Sequence, residues 1–85
     1  MATTATAEEV LAQLIRLLVQ FPERVTSVTV STALGETIQI FVDKADLGSV
    51  IGRGGRTARS LRILLAAISA RAESRLMLDI VANPG

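Results

Sequence analysis

The apolar residues of this chain switch between two spacings, and the switches dictate the order of its elements. Leu11, Leu14, Ile15 and Leu18 recur every three or four residues with Gln13, Arg16 and Gln20 opposite, which predicts an amphipathic helix. Thr6-Ala7-Glu8-Glu9 has the spacing of a capping box, so the helix is expected to begin at Thr6 and to be stopped by Pro22. Val10 and Leu17 widen its apolar stripe on one flank. Over Val25 to Thr32 the period falls to two, with Val28 and Val30 alternating with Ser27, Thr29 and Ser31 as in a half-buried strand. Leu34-Gly35-Glu36 reads as a turn, and Ile38, Ile40 and Val42 give one face of a second strand over 37–42, completing an antiparallel hairpin.

The helical period then returns. Asp43 is expected to cap a short helix in which Leu47, Val50 and Ile51 share a face and Asp46 suits the positive end; Gly52 must end it. A further helix is predicted from about Arg56 to Ala72, with Leu61, Leu64, Leu65 and Ile68 inward. Leu76, Leu78 and Ile80 alternate as a last strand before a frayed Asn83-Pro84-Gly85. A strand at 37–42 joined through two helices to one at 76–81 returns parallel by a right-handed crossover. The expected fold class is α+β: one domain over 6–82 in the order α-β-β-α-α-β, with a mixed three-stranded sheet and helices packed on one face. Residues 1–5 and 83–85 are expected to be flexible.

Between the last two helical patterns lies Gly52-Arg53-Gly54-Gly55. Glycine there lets the backbone take positive φ and approach a phosphate closely, where a following helix presents free N–H groups. Charge gathers at the same place. Residues 51–75 hold Arg53, Arg56, Arg59, Arg62, Arg71 and Arg75 against Glu73 alone, whereas the remainder has three basic and seven acidic residues, in a chain of net charge +1. Arg56, Arg59 and Arg62, spaced by three, follow one slowly turning edge beside the loop, along which a sugar-phosphate backbone could run. A GxxG alone could be only a turn between helices, and a basic helix face is often merely solvated. Their coincidence is what points to a polyanion.

Rival chemistries fail on particular residues. A Walker loop would need glycine at Val50 and lysine at Arg56, and a dinucleotide fingerprint would need glycine at Thr57 and a strand before the turn. The chain has no cysteine or histidine, and its carboxylates lack the spacing of a metal loop, so neither enzyme chemistry nor a metal or other cofactor is expected. With Phe21 and Phe41 its only aromatic residues, an aromatic stacking platform is excluded as the main device. The apolar run Ile63 to Ile68 is too short to span a bilayer and Met1 to Thr6 lacks the pattern of a signal peptide, so a cytoplasmic location without membrane contact is expected.

The stretch from Asp46 to Arg62, DLGSVIGRGGRTARSLR, resembles the signature of the KhpA-like family, small bacterial RNA-binding proteins with a type II KH domain. The likeness extends over about residues 8–81 and includes Phe21-Pro22-Glu23, similar to the family's Pro-Glu turn after the first helix. It implies binding of about four single-stranded nucleotides beside the GxxG loop with little sequence selectivity. Carried onto this chain, Gly52, Arg53, Gly54 and Gly55 would hold the backbone, with Arg56, Arg59 and Arg62 alongside, while Gly48, Ile51 and Ala58 would line the groove for bases. It further implies a role as RNA chaperone or post-transcriptional regulator, homodimers, and heterodimers with a larger KH protein of the Jag type. Single-stranded DNA stays open as a second ligand, and so does the reading of the chain as a protein-interaction module with vestigial RNA binding. Two residues depart from the family's pattern: Gly54 lacks the usual polar or basic side chain, and Thr57 stands where an aliphatic residue is common, which predicts looser packing under the loop. Ile63, off the inward stripe, is expected to join Val10 and Leu17 in a subunit contact.

Overall fold

In the computed structural model, which describes residues 3–69 and 75–84, the first helix, α1, spans Thr3–Leu18. It starts before the predicted cap: Thr6 lies inside the helix, which already includes residues 3–5. Helix-favouring Ala5 and Ala7 carry the turn through that point. Leu11 and Ile15 point inward as expected. Ala7 and Ala12 complete the buried face, and Leu18 is half exposed at the helix end. The helix stops at Leu18, and Pro22 instead opens a single 3-10 turn over Pro22–Arg24.

Strands β1 (Thr26–Thr32) and β2 (Gly35–Val42) form an antiparallel hairpin closed by Ala33 and Leu34, so the turn falls before Gly35 and not across it. β3 (Leu76–Ala82) pairs parallel with β2, giving the sheet order β1-β2-β3 and the parallel return expected. Cross-strand partners share a face. Ile38, Ile40 and Val42, with Leu76 and Leu78, are buried against the helices. Ser27 and Thr29 pair with Ile40 and Ile38 and therefore face inward too, reversing the alternation expected of β1. The Glu8 carboxylate explains the reversal. It accepts hydrogen bonds from the Ser27 hydroxyl, at 2.8 Å, and from the Thr29 hydroxyl, so the inward polar groups of the edge strand are satisfied by α1. Val28 and Val30, at 45% and 40% exposure, lie on the open side of the sheet with Phe41.

Two short segments join the sheet to the next long helix. Asp43 does not cap a helix directly. Its side chain accepts the Ala45 N–H and its carbonyl accepts the Asp46 N–H, making a turn that delays α2 to Leu47–Ile51. Asp46, the residue before α2, makes no side-chain cap and is only 3% exposed. Its carboxylate accepts the backbone N–H groups of Gln20 (2.9 Å) and Phe21 (3.0 Å), tying the chain after α1 to the start of α2. Val50 is fully buried, whereas Ile51 at the helix end is exposed. α3 is described over Arg56–Ser69; the predicted extension to Ala72 lies outside the described residues. Leu61 and Leu65 are buried and Ile68 packs against the core, while Leu64 is partly exposed.

At the C-terminal end Asn83 is held rather than frayed. Its backbone N–H donates to the Val42 carbonyl at 2.7 Å and its side-chain amide to the Arg24 carbonyl at 2.8 Å. Among the described residues no helix is long and apolar enough to cross a membrane.

Candidate nucleic-acid interface

The loop between α2 and α3 is built by three internal hydrogen bonds. The Gly52 N–H closes α2 on the Gly48 carbonyl (2.9 Å), the Gly55 N–H returns to the Gly52 carbonyl (3.0 Å), and the Arg56 N–H reaches the Arg53 carbonyl. The loop's donors are thus divided. Gly52 and Gly55 spend their amides on its shape, and the N–H groups of Arg53 and Gly54 have no backbone acceptor among the described residues. Two successive amides without a backbone acceptor at a left-handed bend are the kind of arrangement from which anion-binding concavities are built, here just ahead of the N-terminus of α3.

Glycine is required here for two different reasons. At Gly52 (φ +81°) a Cβ would stand 2.5 Å from the Thr57 hydroxyl oxygen and 2.9 Å from the Thr57 backbone nitrogen. Thr57 lies directly against Gly52, and the missing Cβ of that glycine leaves room for its side chain. At Gly54 (φ +65°, ψ 17°) a Cβ would meet nothing within 4 Å, so conformation alone favours glycine and the outer side of the loop is open.

Around this bend Arg53, Arg56, Arg59 and Arg62 are all exposed, and none pairs with a carboxylate among the described residues. Gly54, Gly55, Arg59 and Arg62 come together with Ile63 and Ala66 along one shallow depression on the flank of α3. A second depression, sharing Arg62 and Ala66, continues to Arg75 at the head of β3. Arg75 is the residue that sequence position hides. It follows Arg62 by thirteen positions, and only the crossover returns it to the same side. Its one signal in the sequence is membership of the basic segment.

The residues expected to line the groove sit on α2 and at the start of α3. Gly48 and Ile51 are exposed on α2 and do not line either depression. Ala58 is 3% exposed, so its methyl group belongs to the core beneath the loop and cannot offer a surface to a base; at that turn of α3 it shares the buried face of Leu61 and Leu65. Ile63 borders the glycine loop, while Val10 and Leu17 line a depression along α1 beside Ser27. Among the described residues no cluster of carboxylates could hold a metal ion.

A mixed three-stranded sheet reached in the order α-β-β-α-α-β, with a GxxG turn between its two adjacent helices, defines a KH domain. The chain belongs to the KhpA/KhpB KH-domain family, whose family model matches residues 8–80. Similar curated proteins bear the name RNA-binding protein KhpA. That of Treponema pallidum is 44% identical over 75 residues, covering 87% of this chain and 92% of the relative. That of Mycobacterium tuberculosis is 40% identical over 68 residues, covering 80% and 85%. That of Listeria monocytogenes is 32% identical over 74 residues, covering 87% and 97%.

Proposed function

We propose that this chain binds single-stranded RNA by its sugar-phosphate backbone. A phosphate is received by the Arg53 and Gly54 amides, and the strand follows Arg59 and Arg62 toward Arg75, with Arg53 and Arg56 at its outer side. One observation carries the reading: two adjacent backbone donors without a backbone acceptor, surrounded by exposed arginines without carboxylate partners among the described residues. The names of the relatives support RNA as the ligand. Phosphate contact alone discriminates little between sequences, which suits an RNA chaperone or a broad post-transcriptional regulator in the cytoplasm. Amide donors do not need a 2′-hydroxyl, so DNA of the same sequence binds as well, though less tightly where that hydroxyl is used.

Salt dependence tests the mechanism. With about three or four phosphates engaged, log K falls against log salt with a slope of roughly −2 to −3, at about −0.7 per contact. Fluorescence anisotropy of a labelled oligonucleotide across a salt series measures it, and a flat profile contradicts phosphate-led binding. Gly48 gives a second test. It is exposed inside α2, and a Cβ there meets nothing within 4 Å. Gly48→Ala is expected to stabilise the fold by about 0.5–1 kcal/mol, the usual helix cost of glycine. If bases lie over α2, the same methyl group weakens RNA binding severalfold, so melting temperature and affinity move in opposite directions.

A second reading is favoured by Ile63, 65% exposed beside the loop. There α3 pairs with another KH chain, either a second copy or a larger Jag-type protein, and RNA binding is secondary. Ile63→Glu then abolishes co-purification with that partner; unchanged pairing removes this reading without touching the first.

A further inference from the structure

We infer that the depression between α3 and the head of β3, lined by Arg62 and Arg75, is a separate subsite that takes an unpaired nucleobase and thereby makes the chain select single strands over duplexes. This subsite rests on the phosphate contact proposed at the glycine loop and supplies what that contact lacks. Backbone amides and arginines accept a phosphodiester whether or not its base is paired, so the loop and the arginines of α3 give no reason to prefer a single strand. A surface that must touch the face of a base does give one, because in a duplex that face is covered by its stacked neighbours.

The lining suits a base better than a further phosphate. Arg62 and Arg75 carry its only charges; the rest is apolar, with exposed Ala66 and half-buried Met77 among buried leucines. A phosphate gains nothing from hydrocarbon and would give up water to reach it. The flat face of a base gains by covering such a floor, and a guanidinium can stack on that base while the strand's phosphates stay in water. The depression shares Arg62 and Ala66 with the one at the glycine loop, so a strand leaving the loop passes directly onto this floor. Arg75 is anchored by its main chain. Its carbonyl accepts the Glu36 N–H at 2.8 Å, and Gly35 (φ +134°) lets the two backbones close, since a Cβ there would stand 2.5 Å from that carbonyl oxygen. The residue is nonetheless exposed, and its guanidinium pairs with no carboxylate among the described residues. A fixed backbone thus carries a cation left for a ligand.

A ratio of affinities tests this, because a general loss of positive charge cancels in it. A labelled RNA of about twelve nucleotides, within the usual size of a single-strand site, is titrated by fluorescence anisotropy in three forms. These are the single strand, its duplex with the complement, and a strand of equal length whose sugar-phosphate units lack bases. One stacked base contributes about fivefold or more, so the native chain is expected to bind the single strand at least about fivefold tighter than either other form. Arg75→Gln removes the guanidinium and leaves the main-chain bond to Glu36 in place; it is expected to bring the three affinities within about twofold of one another. Arg59→Gln weakens all three by a similar factor and keeps the preference. The inference is overturned if Arg75→Gln retains the preference, if Arg59→Gln removes it equally, or if the native chain binds the base-free strand or the duplex as tightly as the single strand. Failure of the loop contact itself looks different: Arg53→Asp with Gly54→Asp then leaves binding of every form unchanged, and the subsite falls with it. Circular dichroism of each variant confirms that the comparison is between folded chains.

Discussion

Replacing Asp46 by alanine is expected to destabilise the domain by about 3 kcal/mol, since each hydrogen bond to a charged group contributes about 1.5–3 kcal/mol and its loss strands the donor. The two donors are the backbone amides of Gln20 and Phe21, and the carboxylate that receives them is almost wholly buried. Nothing of alanine's size can replace it. Asp46→Asn keeps one acceptor oxygen but turns an NH2 group toward the second amide, so about half the loss is expected. Urea denaturation gives both values as shifts in midpoint at constant slope. Because the Asp46 carboxylate also ties the start of α2 to the chain after α1, its loss loosens the element that leads into the glycine loop. A variant as stable as the parent would show that the link between α1 and α2 is held by something else.

The second large effect concerns binding. Arg53→Asp with Gly54→Asp removes one cation and places two carboxylates where a phosphate is to sit. Like charges brought together in this way cost several kcal/mol, so a loss of affinity of about a hundredfold is expected, some 3 kcal/mol. The fold should survive. A Cβ at Gly54 meets nothing within 4 Å, and aspartate is among the residues that tolerate its left-handed backbone. Filter binding read beside circular dichroism separates the two effects. Undiminished RNA retention would favour the interaction-module reading, with Ile63 and α3 as the working surface.

How much of this was legible in the sequence depends on how local each feature is. The order of elements, the parallel return of β3 and the end of α2 at Gly52 follow from periodicity and from glycine, which act over a few residues. Two of the misreadings share one cause: a polar group found its partner far along the chain. Val28 and Val30 were expected inward because valine usually is, but Glu8, about twenty residues earlier, satisfies Ser27 and Thr29 and turns that face in. Asp46 reads locally as an acid at a helix start, while its partners lie 25 and 26 residues before it. At the site, the glycine turn and the arginines of α3 were visible as a motif and a charge imbalance. The division of the loop amides into two used for shape and two left free was not, because it depends on backbone angles. Arg75 joins the arginine-lined flank only through the crossover, and Ala58 leaves it because helical phase at the start of α3 depends on where the loop ends.

The central claim is that a phosphate meets the amides of Arg53 and Gly54. Titrating an amide-labelled sample with a short single-stranded RNA and following each N–H resonance tests it most directly. The largest shifts should fall on Arg53 and Gly54, with smaller ones along Arg59, Arg62 and Arg75. Shifts confined to the open face of the sheet, at Val28, Val30 and Phe41, with the loop amides unmoved, would contradict it.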